Sequence, residues 1–154
     1  MKKSIFASVL MLAMAMTSCS SDDNSATPEP TTKNYIIHFN HQRDLNSVLS
    51  DNDFQLAVTV VTDNPQREQK EAQEWELLFS DDITATYHYI GDKNKHLIVF
   101  GAPNAKSVAV SYIVDGEVAE NTNFKSNIIM VMNGKREERS KSFTKEDNIW
   151  NVLF

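Results

Sequence analysis

The sequence predicts an all-β fold, an antiparallel β-sandwich with one short polar helix or loop inserted. Short segments rich in β-branched and aromatic residues recur about every ten residues from Tyr35 onward. Asp-Gly and Asn-Gly, the pairs best suited to tight hairpin turns, directly follow two of these segments. The only cysteine is Cys19, which lies outside the strand-rich part, so no disulfide is expected to support the fold.

Seven segments before residue 133 have the composition of strands. The second of them, FQLAVTVV, alternates aliphatic side chains with polar or small ones, which is typical of a strand with one face in a core. About 120 residues is an ordinary size for one domain, so we expect these strands to share a single core. An immunoglobulin-like arrangement of the two sheets is one candidate for such a sandwich. The segments are 35–41, 54–61, 75–79, 83–90, 96–101, 106–114 and 124–132.

The last third of the chain carries the turn signals. Asp115-Gly116 and Asn133-Gly134 each predict a hairpin. The segment after the second pair, KREERSKSF, is almost entirely charged, which favours a solvent-facing edge strand that does not recruit another sheet. NIWNVLF, at 148–154, closes the series as a short strand. The charges expected to protect the edge include Arg136, Glu138 and Lys141.

The segment 63–75 is the exception to the strand pattern. DNPQREQKEAQEW is polar almost throughout, with Asn64 suited to a helix cap and Pro65 to the first helical position. It is therefore predicted to be a short surface helix or a loop with little to bury.

Residues 1–18 have the layout of a secretory signal peptide. Lys2 and Lys3 precede a twelve-residue apolar core at 5–16, and Thr17 and Ser18 follow it. A membrane-spanning helix needs about 20 apolar residues, which this segment does not have.

Ser18 stands directly before Cys19, and this ending resembles the lipobox of bacterial lipoproteins, most closely those of the Bacteroidota. Met16 departs from the pattern, because leucine is commoner there. The resemblance implies cleavage before Cys19, a diacylglyceryl group on its sulfur and attachment to the outer membrane. Each buried acyl methylene contributes about 0.8 kcal/mol, so several chains would hold the protein firmly. The resemblance does not extend to the domain.

Residues 19–33 are predicted to be the lipidated cysteine and a flexible tether, and residues 34–154 the single β-sandwich domain. Ser21, Asp22 and Asp23, within SSDDN, resemble the acidic export signal of lipoproteins displayed on the cell surface. If they only solvate the tether, the protein stays on the periplasmic face. The proline-containing segment SATPEPTTK favours an extended chain, and the tether from Ser20 to Lys33 could hold the domain up to ~40 Å from the bilayer.

The net charge indicates which partners to expect. Removing Lys2 and Lys3 from the 15 basic side chains leaves 13 against 21 acidic ones, a net charge of −8 with histidine neutral. Such a surface repels nucleic acid and anionic lipid headgroups. We therefore expect membrane contact through the lipid anchor alone, and no nucleic-acid partner.

The histidines do not predict a metal site. His38 and His41 are three residues apart, so on a strand they point to opposite faces. A turn at GDKNK would form a hairpin that places His88 diagonal to His96 on one face, within reach of zinc, but no third ligand is implied.

The acidic residues offer a weak calcium candidate. If segment 54–61 ran antiparallel to segment 75–79, Asp51 and Asp53 would approach Asp81 and Asp82. The plainer interpretation is that all four are turn residues beside strand ends. We expect no metal and no cofactor.

The sequence contains no catalytic motif, and we expect no enzyme and no catalytic residues. Tyr87 and Tyr89 share a strand face, and Trp75 and Trp150 lie elsewhere in the chain. Such aromatic side chains form either a platform for carbohydrate or protein or, more often, part of the core. The predicted function is a lipid-anchored binding or accessory module that contacts protein or glycan. The competing classes are an envelope-structural or inhibitory lipoprotein and a small hydrolase that uses paired carboxylates.

The predicted lipid anchor can be tested by removing Cys19. Cys19→Ala should move the protein from the detergent phase to the aqueous phase, or leave its signal peptide uncut, because no acyl chain can then be attached. Phase partitioning and mass spectrometry of the amino-terminal peptide measure this. An unmodified Cys19 in protein purified from membranes would contradict the lipoprotein assignment.

Overall fold

The computed structural model describes residues 32–44, 48–63 and 73–154 as a sandwich of two antiparallel β-sheets. Nine strands and one short helix, α1 (Gly116–Asn121), form this described part. The strands are β1 (Lys33–Gln42), β2 (Phe54–Val61), β3 (Trp75–Ser80), β4 (Thr84–Tyr89), β5 (Leu97–Ala105), β6 (Ser107–Val114), β7 (Lys125–Met132), β8 (Lys135–Ser142) and β9 (Ile149–Leu153). The predicted all-β sandwich is confirmed.

The chain crosses between the sheets several times. The first sheet has the strand order β5-β1-β7-β8, and the second has the order β3-β4-β2-β6-β9. The immunoglobulin-like arrangement is not confirmed. Constant-type immunoglobulin domains pair the first strand with the second, whereas here β1 pairs with β5 and β7.

The core lies between the two sheets and follows from alternation along the strands. On β1, Tyr35, Ile37 and Phe39 are buried, while Ile36 and His38 between them face outward. The inner faces of the other central strands repeat this pattern. The largest fully buried side chains are Tyr89, Tyr112, Phe39, Phe54, Phe100, Phe124, Ile37 and Leu56.

One hairpin prediction is confirmed and the other is wrong. Asn133 and Gly134 have φ angles of 48° and 81° and join β7 to β8 as a two-residue turn. Asp115-Gly116 makes no hairpin, because β6 and β7 belong to different sheets. The Asp115 carboxylate instead accepts hydrogen bonds from the backbone N–H groups of Glu117 and Val118 and caps α1.

The two ends of the sandwich differ in the length of their connections. At the end where β1 begins, which we call the N-terminal end, the turns are short: 81–83, residue 106 and 133–134. At the opposite end, which we call the loop end, the connections are longer: 43–53, 90–96, 115–124 and 143–148. The predicted helix or loop at 63–75 lies mostly outside the described residues, and Trp75 opens β3.

Strand β8 lies at the edge of the first sheet, as its charges predict. Arg136 and Glu138 form an exposed ion pair on its outer side. Lys141 differs from them, because its ammonium contacts the Asp147 carboxylate and donates to the Ile149 carbonyl at 2.8 Å. Lys141 is therefore part of the packing between β8 and β9.

Substitutions in β8 should separate these two roles. The double variant Arg136→Val with Glu138→Thr should self-associate more than the unaltered protein, because it replaces two charges on the outer face of an exposed edge with side chains that favour strand pairing. Its melting temperature should change by only about 3 °C or less, because an exposed ion pair contributes little. Lys141→Val should instead lower the free energy of unfolding by about 1 kcal/mol and leave the protein monomeric. Light scattering and thermal unfolding measure both; a monomeric double variant would argue that these charges do not protect the edge.

Candidate functional site

Hydrogen bonds from side chains tie the connections at the loop end to one another. The Asn94 amide oxygen accepts from the Leu49 backbone N–H and from the Arg43 guanidinium, both at 2.9 Å. Its amide nitrogen donates back to the Leu49 carbonyl at 3.1 Å. Asn94 therefore links the connection 90–96 to Arg43 and Leu49, on the described parts of the connection 43–53.

The connection that carries α1 is fixed to the same surface. The Asp44 backbone N–H donates to the Thr122 carbonyl at 3.0 Å, and the Asn123 amide donates to the Asp44 carboxylate at 2.9 Å. The Asp115 N–H donates to the Asp53 carbonyl at 2.7 Å. These contacts join three of the connections into one continuous surface.

An open cleft of about 520 Å³ lies at the loop end, between α1 and the connection 143–148. Phe124 and Phe143 are buried at its base, where the Phe143 N–H donates to the Phe124 carbonyl at 2.9 Å. Amide, hydroxyl and charged groups of both signs line the rest, so the cleft can hold a polar ligand by several hydrogen bonds. These groups belong to Glu120, Asn123, Lys125, Ser142, Thr144, Lys145 and Glu146.

A buried histidine and tyrosine lie near the base of the loop end. His41 Nε2 and the Tyr112 hydroxyl form a 2.7 Å hydrogen bond, and both side chains are buried. The His41 ring also lies 5.2 Å from the Phe54 ring and 5.6 Å from the Phe124 ring, centroid to centroid. Burial lowers the pKa of His41 to about 4 and raises the pKa of Tyr112 well above its usual value. Both groups are therefore neutral at neutral pH.

A buried lysine completes this polar group. The Lys93 ammonium donates to the Tyr89 carbonyl at 2.7 Å and lies over the rings of Tyr89 and Phe54, at 4.8 and 5.1 Å. Burial lowers its pKa. Sequence reasoning missed Lys93, because GDKNK has the composition of a solvent-exposed turn. Nothing in the sequence marks this lysine as buried.

The structure separates the histidines considered as zinc ligands. His38 faces outward and His41 inward, which confirms that they lie on opposite faces of β1. The predicted hairpin that would bring His88 beside His96 is wrong, because β4 and β5 lie in different sheets. His96 instead contacts the His41 carbonyl through Nδ1 at 3.3 Å.

The weak calcium candidate is wrong for a topological reason. Strands β2 and β3 both run antiparallel to β4, so they are parallel to each other. Asp51 and Asp53 therefore lie at the loop end, and Asp81 and Asp82 at the N-terminal end. Among the described residues, no group of three or more His, Cys, Asp or Glu side chains is placed to hold a metal ion.

Two of these aspartates stabilise turns. The Asp53 carboxylate accepts from the Ser50 N–H at 2.6 Å. The Asp81 carboxylate accepts from the Thr84 and Ile83 N–H groups at 2.7 and 2.9 Å. Hydrogen bonds from Thr84 and Ile83 lower the pKa of Asp81. Both residues thus have the turn role of the plainer interpretation.

The aromatic side chains considered for a binding platform belong to the core. Tyr89 and Trp75 are buried, and Tyr87 and Trp150 pack against the same cluster. The Trp75 and Phe100 rings lie 4.7 Å apart, centroid to centroid. The platform interpretation is therefore wrong for this face of the sheet.

The residues assigned to lipidation and export, Cys19, Ser21, Asp22 and Asp23, lie outside the described residues. Within the part of the chain that is described, no helix is long and apolar enough to cross a membrane. No protein-family model matches the chain, and neither a curated protein nor a solved structure is significantly similar to it. The functional assignment therefore depends on the molecule's own geometry.

The low pKa of His41 predicts acid sensitivity. The unfolded chain protonates this group near pH 6.5 and the folded protein only near pH 4. The free energy of unfolding should therefore be highest above pH 6.5 and fall by about 3 kcal/mol as the pH drops to 4. Denaturant titrations across this range measure it.

His41→Gln should flatten most of this dependence, because glutamine does not titrate but can still bond the Tyr112 hydroxyl. A smaller slope should remain from His88, whose pKa burial also lowers. His38→Gln, on the outer face of the same strand, is the matched control and should keep the full slope. An unchanged slope in His41→Gln would contradict the assignment.

Proposed function

We propose that the protein is a non-catalytic binding module, anchored to the outer membrane by lipid on Cys19, that presents its loop end to a protein or glycan. The observation that carries this proposal is the difference between the two ends of the sandwich. The tether leads into β1 at the N-terminal end, whereas the long connections and the cleft lie at the opposite end. Anchor and candidate site are therefore separated by the length of the domain.

The distances favour display away from the bilayer. Strand β1 has ten residues, which span about 33 Å at about 3.3 Å per residue. The tether from Ser20 to Lys33 adds up to ~40 Å when extended. A partner some tens of ångströms from the membrane can thus reach the loop end without contacting lipid headgroups.

The chemistry of the cleft suits a polar partner. Its rim combines the carboxylates of Glu120 and Glu146 with the ammonium groups of Lys125 and Lys145, and Asn123 adds an amide. Such a mixed rim can pair with backbone amides and charges of a protein, or with the hydroxyls of a glycan. The hydrogen bond from Phe143 to Phe124 and the ion pair of Lys145 with Glu117 link the two walls of the cleft before binding, which reduces the entropy lost on association.

The export-like motif supports the finer assignment of location. We propose that Ser21, Asp22 and Asp23 direct the protein to the outer surface of the outer membrane. The lipid anchor would then hold the N-terminal end near the membrane, and the loop end would face the medium.

Position-specific crosslinking in intact cells tests which end meets the partner. A diazirine amino acid at Asn52 or Lys145, both exposed at the loop end, should give adducts of higher mass after illumination. The same group at Asn34 or Lys135, both exposed at the N-terminal end and away from β3, is the matched control and should give few. Diazirines react with proteins and glycans alike, so enzymatic digestion of the adduct distinguishes the two. Adducts formed mainly from the N-terminal end would overturn the proposal.

A further inference from the structure

The two open sides of the sandwich differ in chemistry. Charged groups close the side between β8 and β9: the Arg139 guanidinium lies 5.2 Å from the centre of the Phe154 ring, and Lys141 bonds to the Ile149 carbonyl. On the side between β3 and β5, the Trp75 indole donates to the Val99 carbonyl at 3.1 Å. Trp75 is the first residue of β3, so it covers only the loop-end part of this side.

Beyond Trp75, β3 exposes three consecutive apolar side chains, which we call the apolar strip. Leu77 is 48% exposed, and Leu78 and Phe79 are each 39% exposed. In the register, Leu77 lies opposite Tyr87 and Phe79 opposite Thr86, so the bulge at Leu78 turns Leu77 and Phe79 to opposite faces of the sheet. The strip therefore shows apolar surface on both sides of an edge strand.

This edge lacks the protection that β8 has. Edge strands usually carry charges along their length, because an exposed apolar edge attracts other strands. Across residues 32–44, 48–63 and 73–154, β4 is the only strand that pairs with β3. An apolar strip that remains on such an edge is typical of an interaction site.

Acidic residues flank the apolar strip at both ends. Glu76 precedes it, and Asp81 and Asp82 follow it. In the described part of the chain, no basic side chain forms an ion pair with any of these three; Lys95 pairs with Glu74 instead. The hydrogen bonds that lower the pKa of Asp81 also favour its charged form.

We propose that β3 binds an extended segment of a partner protein that has aliphatic residues at its centre and basic residues at both ends. The aliphatic residues would contact the apolar strip, and the basic residues would pair with Glu76 at one end and with Asp81 and Asp82 at the other. A segment that binds as an added strand gains affinity from main-chain hydrogen bonds with the edge strand, and its side chains decide which segments bind. This surface is separate from the loop end and does not depend on its proposed role.

The charges also disfavour a second copy of the chain as the occupant. Antiparallel pairing of β3 with itself would place the Glu76 end of one copy beside the Asp81 and Asp82 end of the other. Like charges placed opposite each other on neighbouring strands destabilise the pairing. A basic partner removes this repulsion.

A defined peptide tests the proposal on the full chain in mild detergent. The probe is a labelled nine-residue peptide of alternating valine and threonine with two lysines at each end. We expect fluorescence anisotropy to show binding at low salt, and amide shifts in NMR spectra to map it to residues 75–80. A peptide with glutamates in place of the lysines should bind at least tenfold more weakly, because its charges repel the acidic ends.

Variants of β3 assign the binding to its side chains. Leu78→Lys should weaken the lysine-flanked peptide at least tenfold. Leu153→Lys, at an exposed position on the opposite edge of the same sheet, is the matched control and should change affinity less than twofold. If Leu78→Lys does not fold, the double variant Glu76→Lys with Asp82→Lys serves instead, because it leaves the apolar strip intact and should prefer the glutamate-flanked peptide.

Three results would overturn the proposal. They are no binding of the lysine-flanked peptide by the unaltered chain, amide shifts confined to other strands, or an unchanged preference in the charge-reversed variant. If the peptide does not bind, sedimentation velocity would show whether a second copy already occupies the edge. A monomer would show that no second copy covers it.

Discussion

The fold depends on the burial of one face of each sheet against the other, because no disulfide links any part of the described chain. Aromatic side chains supply much of this burial and form two groups of ring contacts. One group centres on Trp75, Tyr89 and Phe100, and the other on Phe54, Tyr112 and Phe124 at the loop end. Each large aromatic side chain buries about 150–250 Å², so these two groups contribute a large share of the buried area.

A sandwich that is not a closed barrel has edge strands, and in this protein the edge strands β8 and β3 differ in their protection against pairing with other strands. Strand β8 combines an exposed ion pair with Lys141, whose stem packs and whose ammonium bonds to β9. Strand β3 has neither device along its apolar strip. Unprotected apolar edges carry a risk of aggregation. An exposed strip on β3, in a domain whose edge strand β8 is protected, therefore favours a specific occupant for β3.

The sequence predicts the strands of this fold much better than their partners. Alternation along 54–61 and the charge of 135–142 are local signals, and both gave the right element in the right environment. Which sheet a strand joins is decided by packing between distant segments, and local signals do not report it. Asp115-Gly116 had hairpin composition, yet the chain there passes from one sheet to the other, and the aspartate caps a helix.

The same limit explains why the calcium candidate was wrong and why the buried lysine was missed. The calcium candidate required β2 and β3 to be antiparallel neighbours, whereas β4 lies between them and makes them parallel. The burial of Lys93 could not be predicted either. Its ammonium lies over the ring of Phe54, which is distant in sequence, and over the ring of Tyr89, which is near in sequence but carries no signal that a lysine packs against it. By contrast, the opposite faces of His38 and His41 follow from strand geometry alone, and this prediction is confirmed.

The buried polar groups beneath the loop end have a physical consequence for binding. Burying His41, Tyr112 and Lys93 costs free energy that aliphatic side chains in their place would not, and their hydrogen bonds offset only part of it. In return, such bonds permit few alternative packings, because each group must keep its partner. The His41 backbone N–H donates to the His96 carbonyl, and Lys93 adjoins Asn94, which bonds to Leu49. A fixed orientation of these groups therefore helps to fix the connection 90–96 and the described residues of the connection 43–53. A loop surface held in this way can be specific without a disulfide, which is a property that the proposed binding role requires.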